Sequence, residues 1–147
     1  MRLSTKGRYS IRAMLDLAQH YGEGLVLLKD VARRQDISER YLEHLFLTLK
    51  AAGLVNSSRG AHGGFVLSRK PAEINLLEIV RACEGDLAPV ECVTDPKTCA
   101  RSPRCSARDV WCDIKDAVEE VLSSRTLDDI VAEQAKKESG TNNMYVI

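Results

Sequence analysis

The order of periodic segments between Tyr9 and Leu67 constrains this chain more than any other feature. Tyr9, Ala13, Leu17 and Tyr21 recur at helical spacing, Met14 and Ala18 widen the apolar stripe, and Gly22 and Gly24 end it. The apolar run Leu25–Leu28 reads as a small strand, and Lys29–Gln35 is long enough for about two helical turns. Gln35-Asp36-Ile37 reads as a turn. Ser38 is placed to cap a longer helix that runs to Ala52, with Gly53 just beyond its end. Leu42, Leu45, Phe46 and Leu49 fall on one face of that helix. Leu54–Val55 and Phe65–Leu67 then flank a polar, glycine-rich stretch, the pattern of a β-hairpin with a long tip. Helix, short helix, turn, helix and hairpin is the order of a winged helix-turn-helix, with the two-helix unit at 29–52 and the wing at 54–67.

Downstream, Asn75 and Glu78 have the spacing of a capping box for a helix that Gly85 stops. Val110, Trp111, Ile114, Ala117, Val118, Val121 and Leu122 form a second strong helical stripe. Thr126-x-x-Asp129 starts a last short helix, and the tail from Ser139 has no periodicity and is expected to fray. The expected fold is mainly α. Residues 1–70 would form the winged helix-turn-helix, 71–140 a cysteine loop with further helices, and 141–147 a flexible tail. No apolar run resembles a signal peptide or reaches the roughly 18 residues of a membrane span. The chain is accordingly expected in the cytoplasm.

The overall charge is zero, but residues 1–70 carry 12 Lys+Arg against 6 Asp+Glu, and residues 71–147 carry 9 against 15. A basic first half suits a polyanionic partner. In a helix-turn-helix the N-terminal residues of the second helix reach base edges. Here these are Ser38, Glu39, Arg40, Tyr41, Glu43 and His44. Arg40 suits guanine, Glu43 the cytosine amino group, and Tyr41 a phosphate. On the hairpin tip, Arg59 beside Gly60, His62 and Gly63 suits entry into a minor groove. Arg2, Lys6, Arg8, Arg33 and Arg34 are candidates for phosphate contacts. Taken singly, Arg40, Glu43 and His44 could be an ordinary solvated face; their order with the hairpin favours duplex DNA. No Ser/His/Asp order or phosphate loop points to an enzyme.

Four cysteines, Cys92, Cys99, Cys105 and Cys112, are separated by six, five and six intervening residues in a stretch broken by Pro96 and Pro103. Loops that gather thiolates hold soft metals or iron–sulfur clusters, and the lack of a Cys-x-x-Cys knuckle counts against a zinc finger. Cys83 lies on an apolar helix face and reads as a small hydrophobe. His20 has no partner in sequence, and Trp111 belongs to the apolar stripe.

The opening MRLSTKGRYSIRAMLDLA, the stretch ISERYLEHLFLTLKAAGLV, the wing RGAHGGFVL, NLLEIVRACEG and the cysteine loop resemble the Rrf2 family of IscR/NsrR-type winged-helix transcriptional regulators. The resemblance covers nearly the whole chain. It implies a homodimer crossed through long C-terminal dimerisation helices, a roughly palindromic operator, and an iron–sulfur cluster, with [2Fe–2S] preferred to [4Fe–4S]. It also implies Cys92, Cys99 and Cys105 as ligands. The family's usual fourth ligands are replaced here by Arg108 and Arg8, which leaves Cys112, Asp109 or a partner residue as candidates. Sensing by zinc, by thiol oxidation or through a partner protein is the alternative, and a small iron–sulfur redox protein a more distant one.

Overall fold

The computed structural model describes residues 2–60 and 63–144, with side chains as far as residue 140. Helix α1 (Thr5–Gln19) starts a turn earlier than the apolar period suggests, because Ser4 is its cap and accepts the Gly7 N–H at 3.2 Å. Helix α2 spans Leu28–Gln35 and α3 spans Glu39–Ala51. Between them Asp36 takes a left-handed conformation (φ 52°), which reverses the chain within three residues, and Ser38 caps α3 by accepting the Tyr41 N–H at 3.1 Å. The expected strand at Leu25–Leu28 shrinks to a single bridge, Val26 with Phe65, because Leu28 already opens α2.

The wing pairs β1 (Val55–Ser58) antiparallel with β2 (Gly64–Leu67), Val55 opposite Leu67. Gly64 is required there: a Cβ would sit 2.5 Å from the Val26 carbonyl oxygen. Beneath the wing lies the main core, with Met14, Leu17, Leu42, Leu45, Phe46 and Leu49 at most 2 % exposed. Phe46 stacks on Phe65 at 4.5 Å between ring centres, which ties α3 to the wing.

Helix α4 (Leu76–Glu84) opens with the expected capping box and ends at Gly85, whose φ of 75° favours glycine. The short α5 (Glu91–Thr94) and two 3₁₀ turns, Pro96–Thr98 and Ser102–Arg104, carry the cysteine segment into α6 (Ser106–Ser123). The last helix, α7 (Leu127–Met144), corrects two expectations, since its 18 residues are not short and continue as helix beyond Ser139. A Thr126–Asp129 box opens it, and Ala, Glu, Gln and Lys along 132–138 favour a helix without any apolar period. Leu127 is fully buried and joins Ile74 and Ile79 in the main core, so α7 packs back on the first half of the chain. None of the described helices is long and apolar enough to cross a membrane.

Candidate nucleic-acid interface and cysteine segment

Helix α3 is held from behind by Leu42, Leu45, Phe46 and Leu49, so Ser38, Glu39, Arg40, Glu43 and His44 all emerge on its exposed side. Leu47 emerges with them, 65 % exposed, and sequence reasoning passed it over. Its departure from the apolar period of the helix was the available signal, since it lies between Phe46 and Leu49 but off their face. Tyr41 turns its ring edge-on to Tyr9 of α1, 5.5 Å between centres, so it joins the N-terminal end of α3 to α1.

At the other end of α3, the Lys50 ammonium donates to the Ser57 hydroxyl at 2.6 Å and ties the helix to β1. Arg59 and Gly60 are exposed at the wing tip, Gly60 with φ 107° and its carbonyl accepting the Gly63 N–H at 3.0 Å. His62 lies outside the described residues.

Of the candidate phosphate contacts, Arg2, Arg8 and Arg33 are exposed and Lys6 is partly so. Arg34 is different. It grips the buried Asp16 carboxylate through two hydrogen bonds, of 2.8 and 3.0 Å, and Gln35 adds a third at 3.0 Å. Asp16 is only 1 % exposed, so a charge placed there needs such a partner, and the Arg34 guanidinium is engaged with it although the side chain stays 29 % exposed. His20 closes the same corner, its Nδ1 lying 2.8 Å from the Asp16 carbonyl oxygen. Arg12 donates to the Gln35 carbonyl and lies 5.3 Å over the Tyr9 ring, which binds α1 to the end of α2.

The cysteine segment has little core of its own. Cys92 lies in α5, Cys99 follows the first 3₁₀ turn and is exposed, and Cys105 caps α6 with its sulfur accepting the Arg108 N–H at 3.4 Å. Arg108 also donates from Nε to the Cys92 carbonyl at 2.9 Å, so it fastens α5 to the start of α6. Lys97, Cys99, Ser102 and Arg108 line an open cleft of about 460 Å³. The Ser102 hydroxyl is buried there without a partner among the described residues. Cys112 lies on α6, seven residues and about 10 Å of helix axis beyond Cys105. Cys83 is half-buried against the main core, in keeping with its expected role.

Three thiolates are the right donors for an iron–sulfur cluster. All five cysteines are free, however, and among the described residues no three His, Cys, Asp or Glu side chains converge. As arranged here the segment does not fit the cluster that the sequence resemblance implies.

Helix α6 has no buried residue, and Val110, Trp111, Ile114 and Val121 on its stripe are 37–59 % exposed. A stripe this apolar needs a second surface to cover it.

The family model described as Rrf2, iron-dependent transcriptional regulator, matches residues 3–133. The HTH-type transcriptional regulator CymR of Bacillus subtilis is 44 % identical over 132 residues, 90 % of this chain and 91 % of that protein. Its solved structure, described as the global cysteine regulator of B. subtilis, superposes with a TM-score of 0.77 at 43 % identity, covering 90 % of this chain and 98 % of that one. IscR of T. potens superposes with a TM-score of 0.72 at 45 % identity, covering 91 % and 88 %. The oxidised form of Staphylococcus aureus CymR does so at 0.71 and 35 % identity, covering 89 % and 96 %.

Proposed function

The chain belongs to the Rrf2 family of transcriptional regulators, and on that premise we propose that the thiol state of Cys92, Cys99 and Cys105 sets its affinity for operator DNA. The protein is a homodimeric DNA-binding regulator and not an enzyme. Residues 1–70 are the DNA-binding part. Ser38, Glu39, Arg40, Glu43, His44 and Leu47 face the major groove, and Arg59, Gly60, His62 and Gly63 the minor groove beside it. The apolar stripe of α6 is the surface that a second copy covers.

The observation that carries the sensing step is the free, unconverged state of the cysteines, with Cys99 exposed between Lys97 and Arg101. A peroxide would oxidise the Cys99 thiol to a sulfenic acid and leave as water. Condensation of that sulfenic acid with a second thiol of the segment would release another water and form a disulfide. The oxidised staphylococcal CymR supports this reading. A second reading, a cluster-sensing regulator with Cys92, Cys99 and Cys105 as ligands, is supported by the three thiols themselves and by the similarity to T. potens IscR.

One anaerobic preparation decides between them, through its visible spectrum, iron, sulfide and zinc assays, and duplex binding before and after peroxide. The thiol reading expects a colourless protein whose binding shifts several-fold with peroxide, recovers with a reductant, and stops responding in Cys99→Ser. A brown protein with near-equal iron and sulfide would replace it with the second reading. Zinc, or no response to peroxide in a metal-free protein, would overturn both and leave a zinc site or a partner protein as the sensor.

A further inference from the structure

The turn Glu84-Gly85-Asp86 touches three parts of the molecule at once. The Glu84 carboxylate accepts the Ser4 N–H at 2.9 Å and the Ser4 hydroxyl as well. Ser4 in turn caps α1 through the Gly7 N–H. Gly7 has no side chain at the one place where a Cβ would collide with that carboxylate. Two residues on, Asp86 accepts the Thr94 hydroxyl of α5 at 2.8 Å, the Ala88 N–H at 2.8 Å, and an ion pair from Lys115 of α6 at 3.2 Å. Gly85, with φ 75° and ψ −138°, separates two acids that bond different elements, Glu84 the start of α1 and Asp86 α5 and α6. From Ser4 the path continues inward. The first turn of α1 leads to Tyr9, and Tyr9 carries the ring of Tyr41 in the first turn of α3.

We infer that Glu84 and Asp86 are positioning residues for DNA binding. Glu84 seats the first turn of α1, and through Tyr9 and Tyr41 the reading end of α3. Asp86 makes that seat depend on where α5 and α6 lie, and hence on the cysteine segment. The inference rests on α3 as the DNA-contacting helix. The links alternate between contact and backbone: hydrogen bonds and an ion pair at Glu84 and Asp86, the chain itself through Gly85 and the first turn of α1, and the ring contact of Tyr9 with Tyr41. Whether that path couples the two ends is what the variants measure. A carboxylate that accepts two hydrogen bonds from one residue also holds that residue in a single arrangement.

The test uses the full-length protein and four variants, Glu84→Ala, Glu84→Gln, Asp86→Asn and Gly7→Ala. Hydrogen exchange is followed in the peptide that spans the first turn of α1. Binding is measured to a duplex selected from a random pool by the unaltered protein. Exchange in Ala13–Leu17 serves as the internal control for global stability. Glu84→Ala should raise first-turn exchange about 5-fold, the size of a lost helix cap, and weaken duplex binding. Glu84→Gln, which keeps one acceptor, should fall between. Gly7→Ala should match Glu84→Ala, because the new methyl pushes the carboxylate off Ser4.

Asp86→Asn decides the coupling, since it touches nothing in α1. It should raise first-turn exchange about 2-fold and also weaken binding. First-turn exchange and binding unchanged in Asp86→Asn, but altered in Glu84→Ala, would reduce Glu84 to a local cap and overturn the coupling. Altered exchange with unchanged binding would overturn the positioning role. If even the unaltered protein selects no duplex, the α3 reading fails by itself, and the exchange data still decide whether the turn links the elements.

Discussion

The winged helix-turn-helix and the cysteine segment are built on opposite principles. In the first, α1, α2, α3 and the wing share one apolar core, and even the buried Asp16 carboxylate has three strong hydrogen bonds. In the second, α5 and α6 bury no residue of their own, and the one buried side chain between residues 91 and 112, Ser102, has an unpartnered hydroxyl. Packing of the first kind fixes a reading helix to within a rotamer, whereas a segment with few buried contacts opens at low free-energy cost. The thiol-sensing reading proposed above would need both, because a signal must move one part without melting the other.

The largest expected break in this comparison is at Asp16. Asp16→Ala removes the buried acceptor of three hydrogen bonds, two from Arg34, which reaches solvent, and one from Gln35, and should cost about 2–3 kcal/mol. Denaturant unfolding checks it, and a loss below about 1 kcal/mol would mean that the corner is no lock.

Next comes the reading face. Arg40→Ala should leave the melting temperature in place, weaken binding by about 1–3 kcal/mol, and relax base preference at one position per half-site. Selection from a random duplex pool would show that relaxation. A uniform loss at every position would instead make Arg40 a phosphate contact.

A smaller effect is expected on acidification. The Thr94 hydroxyl first, then the Ala88 N–H and Lys115, hold the Asp86 carboxyl below the usual carboxylate range. Its stabilising contribution is therefore present above that range and is lost as pH falls through the depressed value. Exchange in the first turn of α1 should rise over that acid interval in the unaltered protein, and less in Asp86→Asn. An identical pH profile in both would remove Asp86 from the coupling.

The smallest effect is at Ser102. Replacing an unpartnered buried hydroxyl by Ala should change stability by less than about 0.5 kcal/mol or raise it slightly, since no hydrogen bond is lost. A loss above about 1 kcal/mol in thermal unfolding would show that the hydroxyl has a partner in solution. The cysteine segment would then be more rigid than its contacts imply.

Much of the fold was legible because its signals are local. Ser38 sits four residues before the first buried leucine of α3, Asn75 and Glu78 satisfy each other within one turn, and the wing is bracketed by apolar pairs. The exposed face of α3 followed from the same logic, as the complement of the buried stripe. Leu47 was missed because a leucine within an apolar run reads as core until the helix phase is set by its neighbours. The length of α7 was missed because its polar composition carries propensity without period.

By itself, then, the sequence determined what operates within a turn or two: caps, helix phase, the winged helix-turn-helix order, and a set of thiols on one irregular stretch. Tertiary structure alone decided which charges are engaged by distant partners in the chain and which are not. Arg33 and Arg34 are neighbours of the same chemistry, yet one pairs only locally with Asp30 and the other closes on Asp16, 18 residues away. Glu84 meets Ser4 across 80 residues of chain. Whether the cysteines converge was decided at that level too. The physical reason is common to all three. A hydrogen bond or ion pair between distant residues depends on where packed elements bring their side chains, and no local spacing encodes that position.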